Sequence, residues 1–192
     1  MSDSIEEELL KAYFQRLSVG LVTIPIDQLA ALAAEIKKVR SDGNTVWICG
    51  NGGSAATASH MQVDLSFGVK PGVKARALTD NSASLTATGN DVSFDEVFSR
   101  QLVLEAEKGD LLLVISASGN STNLMRAVES AKSKGLKTAA FLGFDGGKLV
   151  GQVDIPIVTR TIAGDYGVAE DIHSSLNHAL KELLNGGLQK ID

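Results

Sequence analysis

Five short apolar runs, each ending in small or polar residues, set the tightest limit on how this chain folds: TVWIC at 45–49, ARALT at 75–79, LLLVI at 111–115, TAAFLGF at 138–144 and VDIPIV at 153–158. Helical patterns lie between them at about 54–67, 82–105 and 121–134, and a last one covers 165–185. Short strands of this kind, separated by helices, form βαβ units around a parallel sheet buried on both faces. Two further helical segments, SIEEELLKAYFQRLS at 4–18 and IDQLAALAAEIKKVRS at 26–41, precede the first strand, with Asp27 or a neighbour capping the second. The pattern predicts one α/β domain over 1–192: a three-layer α/β/α sandwich with a five-stranded parallel sheet and extra N-terminal helices within 1–42. Ligands of open parallel sheets gather at the carboxyl ends of the strands. The loops after Cys49, Thr79, Ile115 and Phe144 are therefore the candidate ligand sites.

Charge narrows the function. Eighteen Lys and Arg against 23 Asp and Glu leave a net charge of −5, with no basic cluster. A nucleic-acid binder needs a basic surface, so no nucleic-acid partner is expected. No run approaches the roughly 18 apolar residues of a membrane span, and Asp3, Glu6, Glu7 and Glu8 oppose a signal peptide. The expected location is the cytoplasm, with no membrane partner. The single cysteine, Cys49, excludes an internal disulfide and a CxxC metal knuckle, and it reads as a buried thiol ending a strand.

Two loops carry ligand-binding character. Residues 49–55, Cys-Gly-Asn-Gly-Gly-Ser-Ala, join a strand to a helix, and Gly50, Gly52 and Ala55 meet the relaxed G-x-G-x-x-G/A pattern. Glycines there let backbone N–H groups approach an anionic or hydroxylated ligand. A dinucleotide site, aided by Asp80 after the next strand, is one reading, and a tight turn without ligand is another. Residues 115–122, Ile-Ser-Ala-Ser-Gly-Asn-Ser-Thr, again lead from strand to helix. Ser116, Ser118 and Ser121, with the helix start, form a neutral cradle suited to a small phosphorylated ligand. The loop has neither the Gly-Lys-Ser/Thr of a Walker cradle nor a G-x-S-x-G elbow.

Histidine is scarce, with only His60, His173 and His178. His60 and Asp64 stand four apart and share a helix face. Glu170 and His178 stand eight apart, still on one broad side of the last helix. Two imidazoles and two carboxylates suit Zn²⁺ or a related divalent ion. His173 is as good a ligand as His178 by spacing, and histidines on a solvated face beside acidic residues are the bland alternative.

The segments CGNGGSAATASHMQVDL, LTATGNDVSFDEVFSRQL, GDLLLVISASGNSTNLMRAVESAKSKG, GFDGGKL and AEDIHSSLNH resemble phosphoheptose isomerases of the sugar-isomerase (SIS) fold over almost the whole chain. The resemblance implies conversion of sedoheptulose 7-phosphate to D-glycero-D-manno-heptose 7-phosphate through an enediol, in a flavodoxin-like SIS domain. It implies sugar contacts at Asn51, Gly52, Gly53 and Ser54, and at Asn90 and Asp91. Phosphate contacts fall on Ser116, Ala117, Ser118 and Ser121. The implied Zn²⁺ ligands, one ion per subunit, are His60, Asp64, Glu170 and His178, which selects His178 over His173; Glu170 also touches substrate. Asp64 is then the base and His178 the acid. A homotetramer is implied, its sites between subunits, with the N-terminal helices packed on the domain or on a neighbouring subunit.

The chain departs from the family pattern at several positions. Asp64 stands where Glu is usual, one methylene or about 1.5 Å shorter. Glu170 replaces a usual Gln, Gly167 an acidic residue, and Lys70 is the nearest substitute for a missing Arg. The paired changes at 64 and 170 read as a coordinated variant site, or as the mark of a different sugar phosphate. Two other classes remain in view: a non-catalytic SIS module that associates with a replication initiator, and a nicotinamide-dependent enzyme. The first is expected to lose the histidine–carboxylate set, and the second to bind a dinucleotide.

Overall fold

The central strands read as unbroken apolar runs because helices cover both of their faces. The computed structural model describes residues 4–186. Its strands are β1 (Val46–Gly50), β2 (Ala75–Ala77), β3 (Leu111–Ser116), β4 (Lys137–Leu142) and β5 (Ile155–Val158). All pair in parallel, in the order β2-β1-β3-β4-β5. The helices are α1 (Ile5–Leu21), α2 (Ile26–Asp42), α3 (Gly53–Val63), α4 (Ser82–Asp91), α5 (Ser99–Glu105), α6 (Thr122–Ser133) and α7 (Tyr166–Leu184).

Side chains alternate across the sheet with the period of two that strands impose. Ile48, Leu113, Ile115 and Phe141 face α2, α3 and α7. Trp47, Cys49, Leu112, Val114 and Leu142 face α5 and α6. Cys49 is fully buried, which raises its thiol pKa far above the usual range. Burying a core Leu or Ile side chain contributes about 2 kcal/mol, so two packed faces rather than any one contact hold the sheet.

Strand order reverses between β1 and β3, the switch point where such sheets open a crevice. Gly50 lies opposite Ile115, so the glycine and serine loops leave the sheet side by side. This juxtaposition places the site.

The structure corrects three boundaries. The helix expected over 82–105 divides: α4 stops at Asp91, and Ser93 caps a 3₁₀ turn at Phe94–Glu96 before α5. Gly89, Asn90 and Asp91 are weak helix formers, and Ser93 Oγ accepts from the Asp95 N–H, offering the backbone a new start. The helix expected over 54–67 becomes a π-helical turn at Asp64–Gly68. Asp27 does not cap α2; Pro25 holds that position, and Asp27 adds negative charge to the first turn.

At the amino ends of the central strands, buried Asp110 accepts the Thr45 N–H at 2.9 Å, the Trp47 indole N–H at 2.8 Å and the Glu107 N–H at 2.9 Å. Asp110→Ala leaves three donors without an acceptor, and we expect a loss of about 4 kcal/mol. Urea unfolding followed by Trp47 fluorescence measures it. A loss below about 1 kcal/mol, the net value of one ordinary hydrogen bond, would show the carboxylate to be dispensable.

α1 docks on α7 through Tyr13 Oη donating to Asp171 at 2.5 Å and Arg16 Nε to Asp165 at 2.7 Å. Its outer side exposes Ile5, Leu9, Leu10 and Phe14. Among the described residues no single helix is long and apolar enough to cross a membrane.

Candidate active site

The glycine and serine loops are tied by a reciprocal amide pair. Asn51 Nδ2 donates to Asn123 Oδ1 at 3.0 Å, and Asn123 Nδ2 donates back to Asn51 Oδ1 at 2.9 Å. Around the pair opens a cavity of about 90 Å³ lined by Asn51, Ser54, Ser116, Ala117, Ser118 and Ser121, with Tyr166 and Glu170 reaching in from α7. One water occupies ~30 Å³ in the liquid, so the space suits a phosphate-sized group. Ser116 Oγ accepts the Gly119 N–H at 3.0 Å, which fixes the loop's curvature. Gly119 has φ +64, and a methyl group there would stand 2.0 Å from the Gly146 carbonyl oxygen. The serine loop therefore rests directly on the loop after β4, and only glycine fits between.

Glycine at 53 serves a different purpose. A methyl group on Gly53 would stand 2.1 Å from Glu170 Oε2, so the Glu170 carboxylate lies over the start of α3. Negative charge is favoured at a helix N-terminus. The positive end of α3 thus already holds an anion of the chain itself. A dinucleotide pyrophosphate would meet that charge. Ser121, which leads into α6, lines the cavity instead.

From this point α3 and α7 run side by side in one direction, in constant register. Thr57 Oγ1 lies 3.5 Å from Ser174 Oγ, Lys181 Nζ donates to Asp64 Oδ1 at 2.6 Å, and Asn185 Nδ2 donates to the Gly68 carbonyl at 3.0 Å. Each pair is 117 residues apart in sequence. The same register brings the His60 and His178 rings to 5.2 Å, centroid to centroid.

His60, Asp64 and His178 form the second half of the site, one donor atom of each lying within 4.8 Å of the others. His60 Nε2 is 3.5 Å from Asp64 Oδ2, and Asn177 Nδ2 donates to that oxygen at 2.9 Å. Both histidines are exposed, whereas Asp64 is buried. Burial raises the Asp64 carboxyl, but hydrogen bonds from Lys181 and Asn177 and the charges of Lys181 and His60 outweigh it and hold the pKa below the ordinary value. Asp64 is therefore a carboxylate at neutral pH. Two imidazoles and a carboxylate are a donor set that fits Zn²⁺ or a similar divalent ion.

The structure separates the histidines that spacing left equivalent. His178 stands in this cluster, while His173 is fully buried with its ring 6.1 Å from Phe141. Glu170, two helical turns before His178, is with the cavity and not with the three-residue cluster. Gly52 and Gly53 form the turn into α3. Asn90 and Asp91 bond to each other at the exposed end of α4. Asp80 accepts a hydrogen bond from Ser59 on α3. Asn123, Tyr166, Asn177 and Lys181 escaped sequence reasoning. The only local signals were an Asn two residues after Ser121 and polar residues flanking His178.

Comparison with known proteins places the chain. The SIS domain profile matches residues 12–143. A phosphoheptose isomerase of Chlorobaculum parvum is 38% identical over 177 residues, covering 90% of this chain and 84% of the relative. That of Aliarcobacter butzleri is 38% identical over 193 residues, covering 98% and 99%. The chain belongs to the phosphoheptose isomerases of the SIS domain family. Its fold agrees with the phosphoheptose isomerase structure from Neisseria gonorrhoeae, with a TM-score of 0.86 at 28% identity over 96% of this chain and 100% of that one. Among phosphoheptose isomerases this chain is thus an isomerase with the expected five-stranded parallel sheet, a phosphate-sized cavity and a histidine–aspartate cluster.

Proposed function

We propose that this chain is an aldose–ketose isomerase converting D-sedoheptulose 7-phosphate to D-glycero-D-manno-heptose 7-phosphate. One observation carries the reading: the anion-sized cavity and the histidine–aspartate cluster stand at two heights on the same helix pair. Eight residues of α7 from Glu170 to His178 rise roughly 12 Å. A seven-carbon chain with ~1.5 Å bonds and a terminal phosphate spans roughly 10 Å. A phosphate held at the serine loop leaves the sugar's carbonyl end near Asp64 and His178.

Ser116, Ser118 and Ser121, with the Ala117 backbone, hold the phosphate through neutral donors at the start of α6. Asn51, Gly52, Gly53, Ser54 and Glu170 receive the sugar hydroxyls. The Asp64 carboxylate takes the proton from C1 and returns it to C2 of the enediol, while His178 protonates O2 and accepts the proton leaving O1. His60, Asp64 and His178 would hold a Zn²⁺ ion, and Glu170 joins them only by leaving Gly53. When bound, the ion supplies Lewis-acid polarisation at the carbonyl oxygen.

We further infer a homotetramer, supported by the exposed stripe Ile5, Leu9, Leu10 and Phe14 on α1 and by exposed Phe67 and Phe94. In it Asn90 and Asp91 serve a neighbouring subunit's site. We also infer a cytoplasmic location, supported by the small sugar-phosphate substrate of the proposed reaction. A second reading, isomerisation of a different sugar phosphate, is favoured by Asp64 and Glu170 standing where the family pattern has Glu and Gln.

Turnover of sedoheptulose 7-phosphate, followed by NMR with and without chelator, tests the proposal. We expect conversion that falls at least tenfold on chelation and returns with Zn²⁺. Absence of conversion at saturating substrate, with another sugar phosphate accepted, would favour the second reading.

A further inference from the structure

We propose that Lys181 competes with a divalent ion for the Asp64 carboxylate, so that the ion binds tightly only as the lysine leaves Asp64. The inference rests on the metal reading of His60, Asp64 and His178. Lys181 Nζ lies 2.6 Å from Asp64 Oδ1, and Asn177 Nδ2 lies 2.9 Å from Oδ2. Both oxygens of the one carboxylate in the cluster are engaged, one of them by a full positive charge. A divalent ion among the three donors would stand within a few ångströms of that ammonium, and like charges at such range repel strongly where one partner is buried.

The surroundings make the exchange possible. Asp64 is 6% exposed by side chain and Lys181 is 37% exposed, so the carboxylate is fixed and the lysine has a path to solvent. A four-carbon stem swings its head outward with little loss of packing. Gly68, the last residue of the π-helical turn that begins at Asp64, leaves room for the stem in its Asp64-bound position. A methyl group there would stand 2.7 Å from Lys181 Cε and 3.1 Å from Nζ. Gly68 is not among the glycines with positive φ, so alanine is compatible with its backbone.

The arrangement predicts two states of one centre. Without metal, Lys181 balances Asp64 and the chain keeps a paired buried carboxylate. With metal, Lys181 is solvated and the ion takes over the balance. Metal affinity is then lower than the donor set alone provides.

The test is Co²⁺ titration of the full chain, followed by d–d absorption and calorimetry, for wild type, Lys181→Met and Gly68→Ala. We expect the dissociation constant to fall at least tenfold in Lys181→Met and to fall by a smaller factor in Gly68→Ala. Co²⁺ should also raise the melting temperature of Lys181→Met more than that of wild type. Equal affinities in all three proteins overturn the inference while leaving the metal reading intact. No Co²⁺ binding in any of them at millimolar ion overturns both. If Lys181→Met does not fold, Gly68→Ala decides alone, because it keeps the lysine and crowds its Asp64-bound position.

Discussion

Asp64→Asn is expected to lower kcat by roughly 10²- to 10⁴-fold, the usual contribution of a positioned general base. An amide has the same shape but accepts no proton at neutral pH. The Michaelis constant should change only a few-fold, because the proposed phosphate contacts lie two helical turns away on α6 and the serine loop. Steady-state kinetics on sedoheptulose 7-phosphate separates the two parameters, and near-normal kcat would remove Asp64 from the base role. The variant should also unfold differently in acid. A carboxyl held below its ordinary pKa stabilises the fold above its unfolded value of about 3.9 and loses that contribution as pH falls through the folded value. Asp64→Asn lacks this acid limb.

The second large effect concerns His173, which the chemistry does not use. Its ring is fully buried, and neither nitrogen makes a hydrogen bond among the described residues. Burial pushes the imidazole down to about 4, offset slightly by the Leu142 backbone, a contact short of hydrogen-bond geometry. The unfolded chain, with an ordinary value near 6.5, binds the proton first as pH falls, so stability rises with pH between about 4 and 6.5. From that difference wild type should lose about 2 kcal/mol on moving from pH 7.5 to pH 5. His173→Leu should lose about 2 kcal/mol less over the same interval, whatever its packing change costs at both pH values. Urea unfolding at the two pH values measures this. Identical pH dependence in both proteins would show that folding does not depress the His173 pKa.

The sheet was legible because its strands are apolar on both faces, a pattern that local sequence carries directly. The serine and glycine loops were legible for a related reason: both follow strands, at the carboxyl ends where parallel sheets bind ligands. What escaped depends on distant contacts. Asn123 matters through Asn51, 72 residues away, and Lys181 through Asp64, 117 residues away. No local periodicity announces such a partner. The choice of His178 over His173 illustrates the same limit. Both lie on α7, and only the placement of α3 against one face and the sheet against another separates a solvent-facing imidazole from a core one. The π-helical turn at Asp64–Gly68 was hidden because its residues are compatible with an ordinary helix.

The constant register of α3 and α7 also restricts how the chain can change length. One residue inserted between Thr57 and His60 would rotate everything beyond it by about 100°. That step would carry His60 away from His178 and Asp64 away from Lys181 together, whereas Gly53 and Glu170 would stay matched. A compensating insertion in α7 between Ser174 and Asn177 would restore the pairing. Insertions and deletions in members of this family should therefore be sparse in both helices, or occur in both at matched heights, while the connections between the other elements vary freely.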